Sequence, residues 1–255
     1  MAVTSANGPH VTPELYAWSG DRLWFLFART TLKAKVLART PEVAAMVSVD
    51  GRSVMVEGTV DLIDVRRPTT LLGHPARSLR ALRATGGYAV RNAPDLAAFG
   101  RDLATGQLGW RPPPLRVLAS LDPRRTVVFE DGAIVARSGG STRGGLRPVD
   151  VADERPGGER VVAAFPGPAV VPGRWFPDDR ELVVSPVLLD LHGIDGRTPV
   201  AVVADDYVAP GPAAKVGTLL RGSGRRIGRS GSITVDAETL TSWDGIEIET
   251  SGAGS

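Results

Sequence analysis

Apolar and polar residues alternate in short runs along residues 1–63, a pattern typical of β-strands. An apolar, aromatic run, Leu23 to Phe27, follows the turn residues Ser19-Gly20-Asp21. Two longer runs, Val43 to Val49 and Ser53 to Ile63, are separated by Asp50-Gly51, a pair that favours the positive backbone angles of a tight hairpin turn. The pattern therefore predicts several short strands and one clear hairpin.

The period changes between Thr31 and Thr40. Leu32, Val36 and Leu37 recur at helical spacing, and the segment ends at Pro41, which cannot continue a helix. We expect a short helix here, with Thr30 or Thr31 as its N-cap.

Residues 68–106 again show helical spacing of leucines, which predicts a helical insertion. Strand patterns resume at Leu115 to Leu121 and at Thr126 to Phe129. A stretch rich in Gly, Ser, Arg and Pro follows and is typical of a linker.

Three blocks recur in the second half of the chain, in the same order and nearly the same spacing. The matching pairs are Gly8–Pro13 with Gly167–Pro172, Val56–Val60 with Lys215–Leu219, and Arg39-Thr40-Pro41 with Arg197-Thr198-Pro199. We therefore expect a first module at residues 1–137 with the helical insertion, a linker at 138–158, a degenerate second module at 159–250 and a tail at 251–255.

The formal net charge is only +2, and no block of like charges marks a nucleic-acid-binding tail. Lysine occurs at three positions, Lys33, Lys35 and Lys215, and cysteine is absent, which excludes disulfides and thiolate metal sites. The start shows no basic stretch followed by an apolar run, and no segment has the length of a membrane span. We expect a cytoplasmic protein that binds neither nucleic acid nor membrane.

A cluster of cations and hydroxyls stands where the first module changes from strand to helix. Arg29 ends a predicted strand, Thr30 and Thr31 follow, and Lys33 and Lys35 lie in the predicted helix. Free N–H groups, the helix dipole and these cations would converge on one point, which is the chemistry that binds phosphate. The alternative is that Thr31 only caps the helix and the lysines form a solvated face.

The order of these elements resembles the pyridoxamine 5'-phosphate oxidase-like family of FMN-binding split β-barrels, which includes deazaflavin (F420)-dependent reductases. The likeness is carried by Gly8–Pro13, by Arg29–Pro41 and by Val56–Thr59. It implies a mainly β fold with a helical insertion (α+β), in which two split β-barrels in one chain form a pseudo-dimer. Whether the fused pair dimerises again is left open.

The resemblance also implies a role for each candidate residue. Arg29 and Lys33 would pair with the phosphate of FMN, or of F420, Thr30 and Thr31 would donate hydroxyls, and Lys35 would support them. His10, Val11 and Thr12 would lie on the strand near the flavin ring. The alternative for His10 is a purely structural role.

The second module would lack this phosphate site. Counted back from the shared Arg-Thr-Pro, the positions of Arg29, Thr30, Thr31 and Lys33 are occupied by Val187, Leu188, Leu189 and Leu191. A phosphate placed there would lose its charge-assisted hydrogen bonds. The polar stretch Arg221–Arg226 would supply the opposite wall of the one remaining site through Arg221 and Arg225, unless it is an ordinary basic hairpin loop.

The resemblance implies an oxidoreductase in which the flavin exchanges hydride with a small organic substrate, with catalytic residues unassigned and no metal site. Pyridoxamine phosphate oxidation itself is not expected, because the chain ends in Ile246–Glu249 and a Gly/Ser tail without that enzyme's substrate segment. The alternatives are a non-catalytic protein that binds a cofactor or heme, and a pseudoenzyme that serves assembly alone.

Overall fold

The computed structural model describes residues 1–49, 52–64, 75–104, 116–130, 133–138, 157–204 and 219–243. Its described part is mainly β, with one large sheet and one closed six-stranded barrel. The predicted Asp50-Gly51 turn, most of the 138–158 linker, the Lys215–Thr218 repeat block and the 251–255 tail lie outside the described residues.

The first half of the chain forms the large sheet, which we call the sheet unit. Its elements are β1 (Ala2–Ser5), β2 (Gly8–Val11), β3 (Tyr16–Ser19), β4 (Arg22–Ala28), α1 (Leu32–Leu37), β5 (Glu42–Val49), β6 (Arg52–Ile63), α2 (Pro75–Arg91), α3 (Ala93–Ala104), β7 (Arg116–Glu130) and β8 (Ala133–Ser138). Its strand order is β2-β1-β5-β6-β7-β4-β3, and β8 pairs with β7.

The second half forms the barrel unit. Its elements are β9 (Glu159–Phe165), β10 (Ala169–Phe176), β11 (Glu181–Val184), α4 (Pro186–Leu191), β12 (Arg197–Ala204), β13 (Leu219–Arg226), β14 (Ser232–Val235) and β15 (Thr241–Trp243). The strand order is β12-β9-β10-β11-β14-β13, and pairing of β12 with β13 closes the ring, while β15 adds to β13.

The two strand orders correspond, which supports the repeat found in the sequence. In the barrel unit one strand, β10, pairs with β9 on one side and with β11 on the other. In the sheet unit the same place is divided between β2, which pairs with β1, and β3, which pairs with β4. Residues 12–15 between them form no strand, so the described sheet stays open at the place that β10 spans in the barrel.

Several sequence predictions are confirmed and one is wrong. The strands around Leu23–Phe27, Val43–Val49 and Ser53–Ile63, the short helix capped by Thr31 and the helical insertion are present as β4, β5, β6, α1, α2 and α3. Residues 115–121 and 126–129 were expected as separate strands, but residues 116–130 form the single long strand β7. Between the two apolar runs, a bulge interrupts the pairing of β7 with β6, and Arg124 is the extra residue.

Both faces of strand β5 are buried over residues 43–45, since neighbouring residues enter different cores. Val43 and Ala45 pack with the residues of β4, β7 and α1, whereas Ala44 joins Val11, Met55 and the barrel residues in a shared core. The backbone N–H of Gly167 also donates to Thr4 Oγ1 across the junction, at 3.2 Å. This apolar contact explains why β5 has apolar side chains on both faces at these positions.

Gly58 is required where β6 and β7 cross at the bulge. A Cβ atom at this position would lie 1.9 Å from the carbonyl oxygen of Asp122, a distance that no side chain can tolerate. The pairing shifts between Glu57 and Gly58, so the glycine also fixes the strand position of Glu57.

We predict that Gly58→Ala destabilises the protein by about 2–3 kcal/mol, because the clash is with backbone and cannot be relieved by a side-chain rotation. Chemical denaturation followed by circular dichroism measures this. Gly87→Ala in α2 is the matched control, since no atom lies within 4 Å of its added Cβ and alanine favours a helix. Equal stability of the two variants would contradict the close approach.

Candidate functional site

Thr31 caps helix α1 with its hydroxyl group. Its Oγ1 accepts a hydrogen bond from the Ala34 N–H at 3.3 Å and donates to the Ala28 carbonyl at 2.8 Å. The capping interpretation therefore describes what this side chain does in the structure.

Arg29 and Thr30 are exposed just before α1, and Lys35 is exposed in the last turn of α1. One guanidinium nitrogen of Arg29 lies 3.2 Å from a carboxylate oxygen of Asp64, a residue that the sequence did not single out. The Arg29 side chain is 41% exposed, so a solvent-borne anion can reach it. The exposed cation and hydroxyl retain the composition of a phosphate site.

Lys33 is buried, in contrast with the solvated face that was the alternative for the lysines. Its ammonium group donates to Thr12 Oγ1 at 2.7 Å and forms an ion pair with Glu14, whose side chain is 13% exposed. The Thr12 hydroxyl in turn donates to Glu14 at 3.2 Å, and the Phe27 ring centroid lies 6.0 Å from the Lys33 nitrogen. Lys33 thus holds the open segment between β2 and β3.

His10 connects the two units. Its side chain is buried, and a guanidinium nitrogen of Arg221 on β13 donates to its Nδ1 atom. Because a guanidinium has donors only, this contact fixes the imidazole proton on Nε2. His10, Thr12, Glu14, Lys33 and Arg221 form what we call the seam cluster.

The seam cluster keeps His10 neutral. Burial is the main cause that lowers the pKa of His10 to about 3, and the neighbouring charges of Arg221, Lys33 and the amino terminus lower it further. Arg221 and Lys33 are cations, but Glu14 pairs with Lys33, and burial lowers the pKa of the Met1 amino group to about 5, so that group is neutral near pH 7.

Val11 and Thr12 hold the backbone of the open segment in place. Val11 is buried in the core shared by the two units. The Thr12 N–H donates to the Met1 carbonyl at 3.0 Å, and the amino group of Met1 donates to the Thr12 carbonyl at 2.8 Å.

The alternative of an ordinary basic hairpin loop at Arg221–Arg226 is wrong, since these residues form strand β13 of the barrel. Cβ atoms at Gly222 and Gly224 would lie 2.7 Å and 2.4 Å from Val235 Cγ1 and Ile233 Cγ2, so glycine permits the close packing there. Arg221 enters the seam cluster. Arg225 is exposed, and no hydrogen bond or ion pair joins it to that cluster among the described residues.

The expected residue correspondence between modules is also wrong by four positions. Val187–Leu191 lie inside α4, and the N-cap of α4 is Ser185, as Thr31 is the N-cap of α1. Arg39-Thr40-Pro41 precedes β5, whereas Arg197-Thr198-Pro199 lies within β12. Residues counted back from these two segments therefore do not occupy equivalent positions in the two units. The structural counterparts of Arg29, Thr30 and Lys33 are Val183, Val184 and Val187, which carry no charge, but a hydroxyl is retained at Ser185.

Within the described residues, no group of three or more histidine, cysteine or acidic side chains is arranged to hold a metal ion. No described helix is long and apolar enough to cross a membrane. No protein-family model matches the sequence, and no curated protein matches it significantly. The family resemblance therefore depends on Gly8–Pro13, Arg29–Pro41 and Val56–Thr59 alone.

We predict that His10 makes the protein less stable in acid. Its folded pKa lies below the ordinary value of 6.5, so the unfolded chain binds the proton first and stability is lost as the pH falls from about 6.5 toward 3. His10→Gln, which keeps an acceptor for Arg221, should reduce the loss between pH 7.5 and 4.5 by about 2 kcal/mol. Urea unfolding at the two pH values tests this, and parallel losses in both proteins would contradict it.

Proposed function

We propose that this protein is an FMN-dependent oxidoreductase, with F420 as the alternative cofactor, that transfers hydride to or from a small organic substrate. One observation carries the proposal most directly. Arg221 of the barrel unit donates to His10 of the sheet unit where the two units join, and the charge of Lys33 on helix α1 acts on the same imidazole. The resemblance implies a cofactor in the groove between two barrels, and this junction has matching chemistry.

The finer architecture belongs to the same proposal. The corresponding strand orders, and the contacts of β2 with β9 and β12 and of β10 with β5 and β6, support a pseudo-dimer of two split barrels, one of them open. Strand β2 contacts strands of the barrel unit, and its counterpart β10 contacts strands of the sheet unit, as an approximate two-fold axis between the units produces.

The residues that precede α1 fit the phosphate of an anionic cofactor. Arg29 and Thr30 are accessible before α1 and would hold the phosphate, as Arg29 does the Asp64 carboxylate in the structure. Lys33 is already paired with Glu14, so its contribution would be to the field and to the position of residues 12–14. The flavin would supply the hydride chemistry, whereas the chain would bind and orient it.

The barrel unit would not offer an equivalent phosphate site. Val183, Val184 and Val187 replace the cations and one hydroxyl, and Ser185 forms no side-chain cap bond. A phosphate there would meet apolar side chains. The proposal therefore gives one cofactor site for each chain.

The cofactor identified in purified protein tests this function. We expect a flavin absorption spectrum that bleaches with dithionite or NADPH, and mass spectrometry of the denatured sample distinguishes FMN from F420. A Soret band would instead favour the non-catalytic heme-binding alternative. A colourless protein that binds neither FMN nor F420 would contradict the proposal.

We predict that Arg29→Ala weakens FMN binding by about ten- to a hundredfold, because a charge-assisted hydrogen bond contributes roughly 1.5–3 kcal/mol. Fluorescence titration measures the effect. Arg39→Ala is the matched control, since Arg39 is also exposed but follows the other end of α1. Lys33→Ala is a less specific variant, since it leaves Glu14 without its ammonium partner and lowers stability as well.

The proposed phosphate position would be wrong if Arg29→Ala and Arg39→Ala bind FMN equally well. Circular dichroism of both variants confirms that any loss of binding does not come from unfolding. Arg29 and Arg39 are both exposed, and among the described residues removal of Arg29 affects only its ion pair with Asp64. We therefore expect both variants to fold.

A further inference from the structure

A second polar cluster lies between the two units, apart from the residues proposed to bind the cofactor. It consists of Glu57 on β6, Arg125 on β7, Arg137 on β8 and His192, which follows α4 in the barrel unit. We call it the Arg137 cluster. A guanidinium nitrogen of Arg125 lies 3.0 Å from Glu57 Oε2, and His192 Nε2 lies 3.3 Å from Glu57 Oε1.

The strand register brings the three sheet residues onto one face. Glu57 is paired with Arg125, and Arg137 is paired with Val127, two residues further along β7. Val127 is buried in the core shared with the barrel unit, so this face is the one that meets the barrel. His192 then approaches from the barrel side, with its side chain 7% exposed.

Arg137 is the unusual member of this cluster. All three of its guanidinium nitrogens are buried, and none has a hydrogen-bond partner among the described residues. A guanidinium stays charged at any physiological pH, so it cannot avoid the cost of burial by losing a proton. A buried charge of this kind is expected to be paired, because burial without a hydrogen-bonding partner is strongly unfavourable.

The groups around Arg137 leave a role for an additional anion. Glu57 is the carboxylate of the cluster, and one of its oxygens is already engaged by Arg125. Glu57 Oε1 and His192 Nε2 are buried and make no hydrogen bond with good geometry among the described residues. Two guanidinium groups thus face one carboxylate, with further donors and acceptors unsatisfied.

The same surroundings keep His192 neutral. Burial is the main cause that lowers the pKa of His192 to about 4, with the charges of Arg125 and Arg137 next. Burial raises the pKa of Glu57, while the two arginines oppose that shift. A neutral imidazole can donate one hydrogen bond to a ligand without adding a charge.

We propose that the Arg137 cluster is a second ligand site, which binds an oxyanion group of a small molecule, phosphate or carboxylate, between the sheet unit and the barrel unit. The planar guanidinium of Arg137 binds the oxyanion through paired N–H donors, and His192 and Arg125 border the site. This site is independent of the proposed flavin function, because it shares no residue with the seam cluster or with Arg29. Its ligand links elements of both units, so occupancy stabilises their association.

The experiment compares Arg137→Gln with Arg124→Gln, a control on β7 that removes an exposed arginine next to Arg125. Inorganic phosphate and acetate are the probes, added at constant ionic strength and followed by thermal unfolding and titration calorimetry. Both variants also carry Arg29→Ala, so that phosphate bound before α1 does not contribute. We expect the control to bind phosphate and Arg137→Gln to bind it at least about tenfold more weakly, as for loss of a charge-assisted pair.

Stability without added anion gives a second measurement. Arg137→Gln removes a buried charge and should unfold at the same temperature as the control or higher in phosphate-free buffer. If Arg137→Gln does not fold, Arg125→Gln replaces it in the titration, since the site would lose its other guanidinium. A response to acetate as well as phosphate identifies a general oxyanion site, and a response to phosphate alone identifies a phosphate site.

Equal binding of both probes by Arg137→Gln and Arg124→Gln, or no binding by either, overturns the second site. Failure of the flavin function has a different signature, because it leaves the protein without bound FMN or F420 whatever the phosphate titration gives. The two proposals are therefore tested separately.

Discussion

The packing of the sheet unit on the barrel unit constrains almost every other feature of this protein. Ala2, Ala44 and Met55 enter a core that consists mainly of barrel residues, while their neighbours along the same strands enter the sheet unit's own core. At these positions β1, β5 and β6 therefore have apolar side chains on both faces. Two groups of charged side chains, the seam cluster and the Arg137 cluster, combine residues from both units.

The difference between the two units follows from one interruption in one strand. β10 crosses the barrel without a break and pairs on both sides, whereas the sheet unit leaves the strand path at residues 12–15. Pro13 alone does not explain the interruption, since Pro172 at the matching repeat position lies within β10. Lys33 then joins Thr12 and Glu14, so a buried ion pair occupies the open position. The open segment thus also brings polar residues to the junction. Thr12 and Lys33 therefore have a role both in the fold and in the proposed cofactor site.

The local pattern of the sequence predicted most elements because their causes are local. Alternation defined β5 and β6, and the hydroxyl of Thr31 next to a helical period defined the start of α1. Strand β13 was missed for an equally physical reason, since Gly222 and Gly224 lower local strand preference and matter only through close packing on β14. No local pattern could have shown that packing.

The candidate site was predicted less well, because its partners are distant in the chain. Glu14 and Asp64 were not recognised as the carboxylates that contact Lys33 and Arg29. A buried lysine requires a nearby carboxylate, and the rarity of lysine was a signal that could have prompted a search for one. The repeat itself misled the residue count, since Arg-Thr-Pro recurs in sequence but takes different positions relative to β5 and β12.

The two polar clusters differ in whether their charged groups have partners, and this difference affects how each cluster can act. In the seam cluster Glu14 pairs with Lys33, and His10 accepts from Arg221 without gaining a proton, so each of these side chains has a partner within the protein. In the Arg137 cluster the buried guanidinium has no such partner among the described residues. A satisfied cluster can hold two units in a fixed relation with no ligand, whereas an unsatisfied one gains stability when an anion arrives. The junction therefore combines a permanent polar contact with one whose strength depends on what is bound.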